Sequence, residues 1–336
     1  MTDDIFHNAP PAHFAAGQAS IARLDSLRLI DVVGADALSY LHNLLTNDVE
    51  HLDTAAARLG GFCSPKGRLL ATFVYWRLSD AETPGVRLLL SADLHETMLK
   101  RLRMYVLRSK VSLSDASATH AVYGVFGEPG AVAAALARHV DALPDTTLGR
   151  ADGPDATVIR LSDVALETGP QARYLWIVPG ARAGAELAEG FAPAALQSWE
   201  WLEVRAGEPR VVAATSDRFV PQMINYEALG GVSFRKGCYP GQEVVARSQY
   251  RGTVKRRATL AHAERMTVGS EIFVAGDGAQ PAGLVVLSAP APTGGVDAIV
   301  ELKIAARDAG VPLAAGAADG PPVALLPLPY ALPSLD

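Results

Sequence analysis

The chain has 336 residues, 49% of them hydrophobic and 20% charged, with a net charge of −6, a composition that excludes a disordered protein. No apolar run reaches the ~18 residues of a membrane helix, and two cysteines, Cys63 and Cys238, exclude a disulfide framework or a four-cysteine metal site. The length exceeds one ordinary core, so two or three domains are expected. The acidic start Met1-Thr2-Asp3-Asp4 lacks the basic and apolar regions of a secretory signal, and a cytoplasmic, reduced location is expected.

The first twenty residues, with Pro10 and Pro11, read as a loose arm. Leu27 to Val33 alternates as a strand does and stops at Gly34. From Asp36, the spacing of Leu38, Leu41 and Leu45 predicts an amphipathic helix. Leu59 to Cys63 and Arg68 to Leu78 predict a β-hairpin across Ser64-Pro65-Lys66-Gly67. Val86 to Ser91 predicts another strand. A helix follows, with Asp93 as cap, Glu96 three residues on and Leu94, Met98, Leu102 and Tyr105 on one side. A second unit opens near His120 with strand 121–126, helix 131–140, strands 158–161 and 174–178, and helix 183–191. Beyond Arg257 the helical period fades. Short apolar runs at 258–261, 271–274, 283–288, 297–302 and 323–328 predict a small β-barrel or sandwich, with 289–295 and 305–322 as loops.

Lys236-Gly237-Cys238-Tyr239-Pro240-Gly241-Gln242-Glu243 is the most informative stretch. Glycines on either side of Cys238 let the backbone bend and let a flat ligand or partner approach. Pro240 suits a first helical position, with Glu243 in the first turn of a helix running through Val245 to Tyr250. Arg235, Lys236 and the N–H groups of that helix start make a setting suited to a reactive thiol. The alternative is a buried cysteine beside a structural turn. Cys63, on a strand, reads as packed. Residues 235–257 hold seven cations against Glu243 alone, +6, leaving −6 − 6 = −12 for the rest. Such asymmetry fits either a localised anion site or a solvated face with a charge-guarded edge strand. The histidines lack ligand spacing, so no metal is expected.

Val220-Pro221-Gln222-Met223-Ile224-Asn225, Ala228-Leu229-Gly230-Gly231-Val232-Ser233-Phe234, the octet, Ala246-Arg247 and Arg251-Gly252 together resemble the folate-binding YgfZ-type family, a branch of the glycine-cleavage T-protein (aminomethyltransferase) superfamily. Leu41-His42-Asn43-Leu44-Leu45-Thr46-Asn47-Asp48-Val49, Cys63-Ser64-Pro65-Lys66-Gly67, Ala206-Gly207-Glu208-Pro209 and Leu328-Pro329-Tyr330 extend the resemblance over nearly the whole chain. It implies an α+β fold: two ferredoxin-like α/β units around a central channel plus a C-terminal β-barrel. The implied domains are 20–116 with 200–252 (folate-binding type), 117–199, and 253–336.

The resemblance also implies a bound tetrahydrofolate or related folate. Such a molecule needs a flat clamp, carboxylate or amide groups for its ring and cations for its glutamate tail. Trp199 and Trp201, with Glu200 and Glu203, precede Gly207, and a helix there puts residues 199, 203 and 207 on one face. Taken alone, these residues read more readily as core packing and solvated acids than as a ligand clamp. The resemblance assigns Trp199, Glu203, Gln242, Glu243, Arg247 and Arg251 to folate binding, and the cationic, glycine-rich setting of Cys238 makes it the expected functional thiol. Aminomethyl-transferring relatives carry acids where this chain has Leu70 and Ala71, which points away from glycine cleavage. The function that the resemblance implies is an accessory factor for iron–sulfur cluster assembly or repair, meeting assembly proteins or client enzymes such as tRNA-modifying ones. The alternatives are a folate-dependent one-carbon transferase and an RNA-binding protein. With only Tyr239 and Tyr250 to stack bases, direct nucleic-acid binding is not expected.

Overall fold

In the computed structural model, the described residues are 6, 9–12, 14, 16–79, 83–153, 156–180, 187–250 and 254–333. The chain divides into two compact units. The first comprises Met1–Tyr40, Val49–Arg58 and Phe73–Trp199, and the second Leu41–Asp48, Leu59–Thr72 and Glu200–Asp336.

In the first unit, β1 (Ala19–Arg23), β7 (His120–Gly127), β8 (Arg150–Gly153), β9 (Ala156–Leu166), β10 (Gly169–Pro179) and β11 (Ala192–Pro193) form a sheet in the order β11-β1-β7-β10-β9-β8. β1 lies parallel to β11 and antiparallel to β7, so the N-terminal stretch read as an arm enters a sheet at Ala19. Helix α3 (Pro129–Leu136) lays Val132 and Leu136, four apart, onto a core holding Tyr123, Trp176 and Phe191. Glu128 caps it, its carboxylate accepting from the Gly130 and Ala131 N–H groups, so the helix starts and ends earlier than periodicity predicts.

β2 (Leu27–Val33) pairs antiparallel with β5 (Gly85–Ser91) on one side and β6 (Ser112–Asp115) on the other. β4 (Leu69–Arg77) pairs with β5 through Val74–Arg77 and with β3 (Ala57–Cys63) completes the order β3-β4-β5-β2-β6. Of the predicted elements here, the hairpin and β5 stand within two residues of their expected ends. Helix α1 spans only Ala37–His42. Helix α2 (His95–Met104) buries Met98, Leu99 and Leu102, and its N-cap position falls on Leu94 rather than Asp93, because a 3-10 turn at Ala92–Leu94 precedes it. Residues 183–186 of the expected 183–191 helix lie outside the described residues.

In the second unit, β12 (Arg256–Ala263), β13 (Glu271–Val274), β14 (Gly283–Pro290), β15 (Val296–Lys303), β16 (Leu313–Ala315) and β17 (Pro322–Leu326) close a barrel in the order β12-β15-β14-β13-β16-β17. Its core packs Ala261, Ala298 and Ala315 beside Ile272, Val285, Val300 and Leu302, a mixture of small and large side chains of the kind that fills a small barrel. The 305–322 stretch, predicted as loop, contains helix α6 (Ile304–Asp308) and β16. Three residues bounded by Gly and Pro carry no readable alternation; pairing with β13 and β17 makes them a strand. The mixed α/β architecture with a C-terminal barrel is the expected one. Helix α4 (Leu196–Arg205) and helix α5 (Gln242–Tyr250) carry most of the residues expected to bind folate.

Candidate functional site

Two turns distant in sequence interlock around the octet. The β3–β4 turn closes with Gly67 N–H donating to Ser64 O at 2.8 Å, and Ser64 Oγ donates to Asp217. Gly67 has φ +71° and Gly241 φ +79°. A Cβ on Gly241 would lie 2.4 Å from Ser64 O and 2.7 Å from Gly67 Cα, and one on Gly67 would lie 2.7 Å from Val244 Cβ. Glycine is thus required at both positions by backbone angle and by contact. The same geometry moves the start of α5 from Pro240 to Gln242, since left-handed Gly241 cannot continue a helix through Pro240.

Cys238 is exposed and Cys63 is buried. Burial, and then the Asp217 carboxylate, push the Cys63 thiol up to about 12, so it stays protonated. Tyr239 is buried beside it, and its hydroxyl is also pushed up, first by burial and then by Cys63. Lys236 is drawn inward. Its Nζ donates to the carbonyls of His42 and Leu45 at 2.5 and 3.0 Å and lies 4.8 Å from the centre of the Tyr239 ring. It thereby supplies a donor to carbonyls at and just beyond the end of α1.

The collinear motifs noted in the sequence are the frame for this loop. Thr46 Oγ1 donates to Gly231 O (2.6 Å) and accepts from Gly61 N–H (2.7 Å). Asn47 Nδ2 donates to Leu59 O and Gly230 O, both at 2.7 Å. Asp48 Oδ1 lies 3.2 Å from His42 Nδ1, and the other ring nitrogen of His42 faces Gly237, 3.6 Å from where its Cβ would stand. Periodicity assigned His42 only to a helix; its place beside the thiol loop is a tertiary product.

The cationic segment 235–257 is not one surface. Besides Lys236, Arg256 pairs with the buried Glu301 carboxylate, and buried Arg257 pairs with buried Glu227 and donates to Gln222 O. Arg235, Arg247 and Lys255 remain exposed, and Arg251 lies outside the described residues. On α5, Gln242 is half-buried and Glu243 exposed.

The two folate-clamp candidates on α4 each make internal contacts. Trp199 is 2% exposed. Its ring lies on Gly124, where a Cβ would come within 2.2 Å, with the buried Arg173 guanidinium 5.1 Å from its centre and Phe126 alongside. Glu203 binds Arg210 through both oxygens, at 2.8 and 2.9 Å. Trp201 donates to the Asp297 carboxylate at 2.8 Å. Gly207 (φ +66°) ends the helix and Tyr330 donates to its carbonyl at 2.9 Å, which explains two further motifs as a tie between α4 and the chain terminus. On β4, Leu70 and Ala71 are both buried. Among the described residues no three of His, Cys, Asp and Glu gather as metal ligands, and no helix is long and apolar enough to cross a membrane.

The fold is that of the aminomethyltransferase class. The structure of aminomethyltransferase T of the glycine cleavage system from Bartonella henselae superposes with a TM-score of 0.66, covering 98% of this chain and 89% of that one at 15% identity. No family model matches the sequence. Among curated relatives, "tRNA-modifying protein YgfZ" of Edwardsiella ictaluri (strain 93-146) is 34% identical over 278 residues, 79% of this chain and 78% of the relative. The protein of the same name from Hamiltonella defensa is 32% identical over 244 residues, 70% of this chain and 68% of the relative. The chain belongs to the YgfZ family.

Proposed function

We propose that the protein is a folate-binding accessory factor in tRNA modification, which presents the Cys238 thiol to assembly proteins or client enzymes and supports their iron–sulfur clusters. The observation that carries this reading is the exposed cysteine, held on a loop with interlocking glycines and an internal lysine strut, in a relative of a named tRNA-modifying protein. The burial of Leu70 and Ala71 favours an accessory role over aminomethyl transfer, because neither side chain can handle a proton or hold a charge. Folate is proposed to meet the groups that α5 leaves accessible, Gln242, Glu243 and Arg247, with Arg251 following. Trp199 and Glu203 would shape the surrounding fold through the contacts described above rather than touch the ligand.

The test is complementation of a strain lacking the gene, reading modified nucleosides in its tRNA by mass spectrometry and the activity of a cluster-dependent enzyme. Wild type restores both, and Cys238→Ser restores neither. Full restoration by Cys238→Ser would overturn the thiol's role. Calorimetric titration with tetrahydrofolate, repeated on Arg247→Ala, tests the ligand. Absence of heat with every reduced folate would remove folate from the proposal and leave the thiol.

A further inference from the structure

Lys100 to Lys110 holds five cations, Lys100, Arg101, Arg103, Arg108 and Lys110, and no acid, in a chain otherwise at −6 − 5 = −11. Within this segment three large apolar side chains face solvent: Met104 is 70% exposed, Tyr105 37% and Leu107 88%. Scattered apolar residues on a surface are ordinary, but three within four positions are not. Leu107 also adopts φ +44°, a left-handed backbone that a leucine enters only against steric resistance.

The loop is held in this form. Lys110 N–H donates to Asp36 Oδ2 at 2.7 Å, and Ser109 N–H to Val106 O at 2.7 Å. Gly34 lies so near Lys110 that a Cβ there would stand 2.0 Å from its carbonyl oxygen. Beside the leucine, Asp36, Tyr105, Arg108 and Ser109 help to line an open cleft of about 680 Å³. A fixed loop that spends backbone strain on keeping an aliphatic side chain in water has a use for that side chain.

We propose that this segment at the end of α2 is a docking surface for another protein, one presenting an acidic rim around an apolar socket that receives Leu107. The charge sign selects the rim, and an exposed leucine beside Arg108, in a segment that also exposes Met104 and Tyr105, has the composition of an interface centre. An RNA partner fits less well, because Leu107 and Met104 offer no ring to stack on a base and only Tyr105 does. This surface does not rest on the thiol or folate readings above.

The experiment places the photocrosslinking residue benzoylphenylalanine at Leu107 in the full chain, with a second version at Leu325, itself 38% exposed, as control. Cells are irradiated, adducts identified, and the partner purified for calorimetry against the unlabelled protein. The expected result is a protein adduct specific to position 107, with binding weakened by salt and by about tenfold or more in Leu107→Asn and Arg108→Glu. Asparagine accepts a left-handed backbone more readily than leucine, so Leu107→Asn keeps the fold while removing the anchor. Four results would each overturn the proposal: nuclease-sensitive or lipid adducts alone, adducts to a second copy of the chain, no adduct beyond the Leu325 level, or purified binding indifferent to both variants.

Discussion

Substituting Gly241 by alanine tests the interlocked turns directly. Two costs arise together. Alanine at φ +79° enters the left-handed region, at about 1–2 kcal/mol. Its Cβ would also stand 2.4 Å from Ser64 O and 2.7 Å from Gly67 N, backbone atoms that cannot swing aside, adding about 1–3 kcal/mol of overpacking. Gly230 separates the terms, since it has nearly the same angle (φ +77°) with nothing within 4 Å of the added carbon. Denaturant unfolding should therefore show a loss of about 2–5 kcal/mol for Gly241→Ala and about 1–2 kcal/mol for Gly230→Ala, at unchanged m. Because Gly241 rests on the turn that follows Cys63, the displaced turn should also let a thiol reagent reach Cys63 in the folded variant. Equal losses for the two variants, with Cys63 still shielded in both, would refute the interlock.

The wild-type protein should titrate one fast thiol when folded and two when unfolded, and Cys238→Ser none and one; mass spectrometry of the labelled peptide identifies the site. Trp199→Ala should destabilise by about 3–5 kcal/mol, the scale of removing a buried tryptophan, and Trp199→Phe should keep its tetrahydrofolate heat, since the ring lies in the interior. The Glu128 carboxyl is held below its ordinary value by the Gly130 N–H bond first and the Ala131 bond next. Its contribution to stability is present above the ordinary carboxylate value and is lost as pH falls through the lowered one. Thermal unfolding of Glu128→Ala should therefore fall below wild type at pH 7 and converge with it in acid; a gap that persists unchanged in acid would contradict the cap.

Local chemistry settled a good deal without tertiary information. Alternation in Leu27–Val33 marked β2, the turn residues Ser64–Gly67 marked the β3–β4 hairpin, and five apolar runs after Arg257 marked barrel strands, because short apolar runs punctuated by Gly and Pro suit buried strands. The run Lys236–Glu243 announced an exceptional loop because few folds need so many special residues side by side. What contacts decide was not legible there. Leu313–Ala315 is a strand only because β13 and β17 flank it. Lys236, Arg256 and Arg257 looked like one positive surface, yet each is spent on a carbonyl or carboxylate brought from elsewhere in the chain. Trp199 and Glu203, on one predicted helical face, were claimed by Arg173 and Arg210. The identity of a charged or aromatic residue is written in the sequence. Whether it meets solvent, a ligand or an internal partner depends on the desolvation and pairing that folding imposes, and those belong to residues far away in the chain.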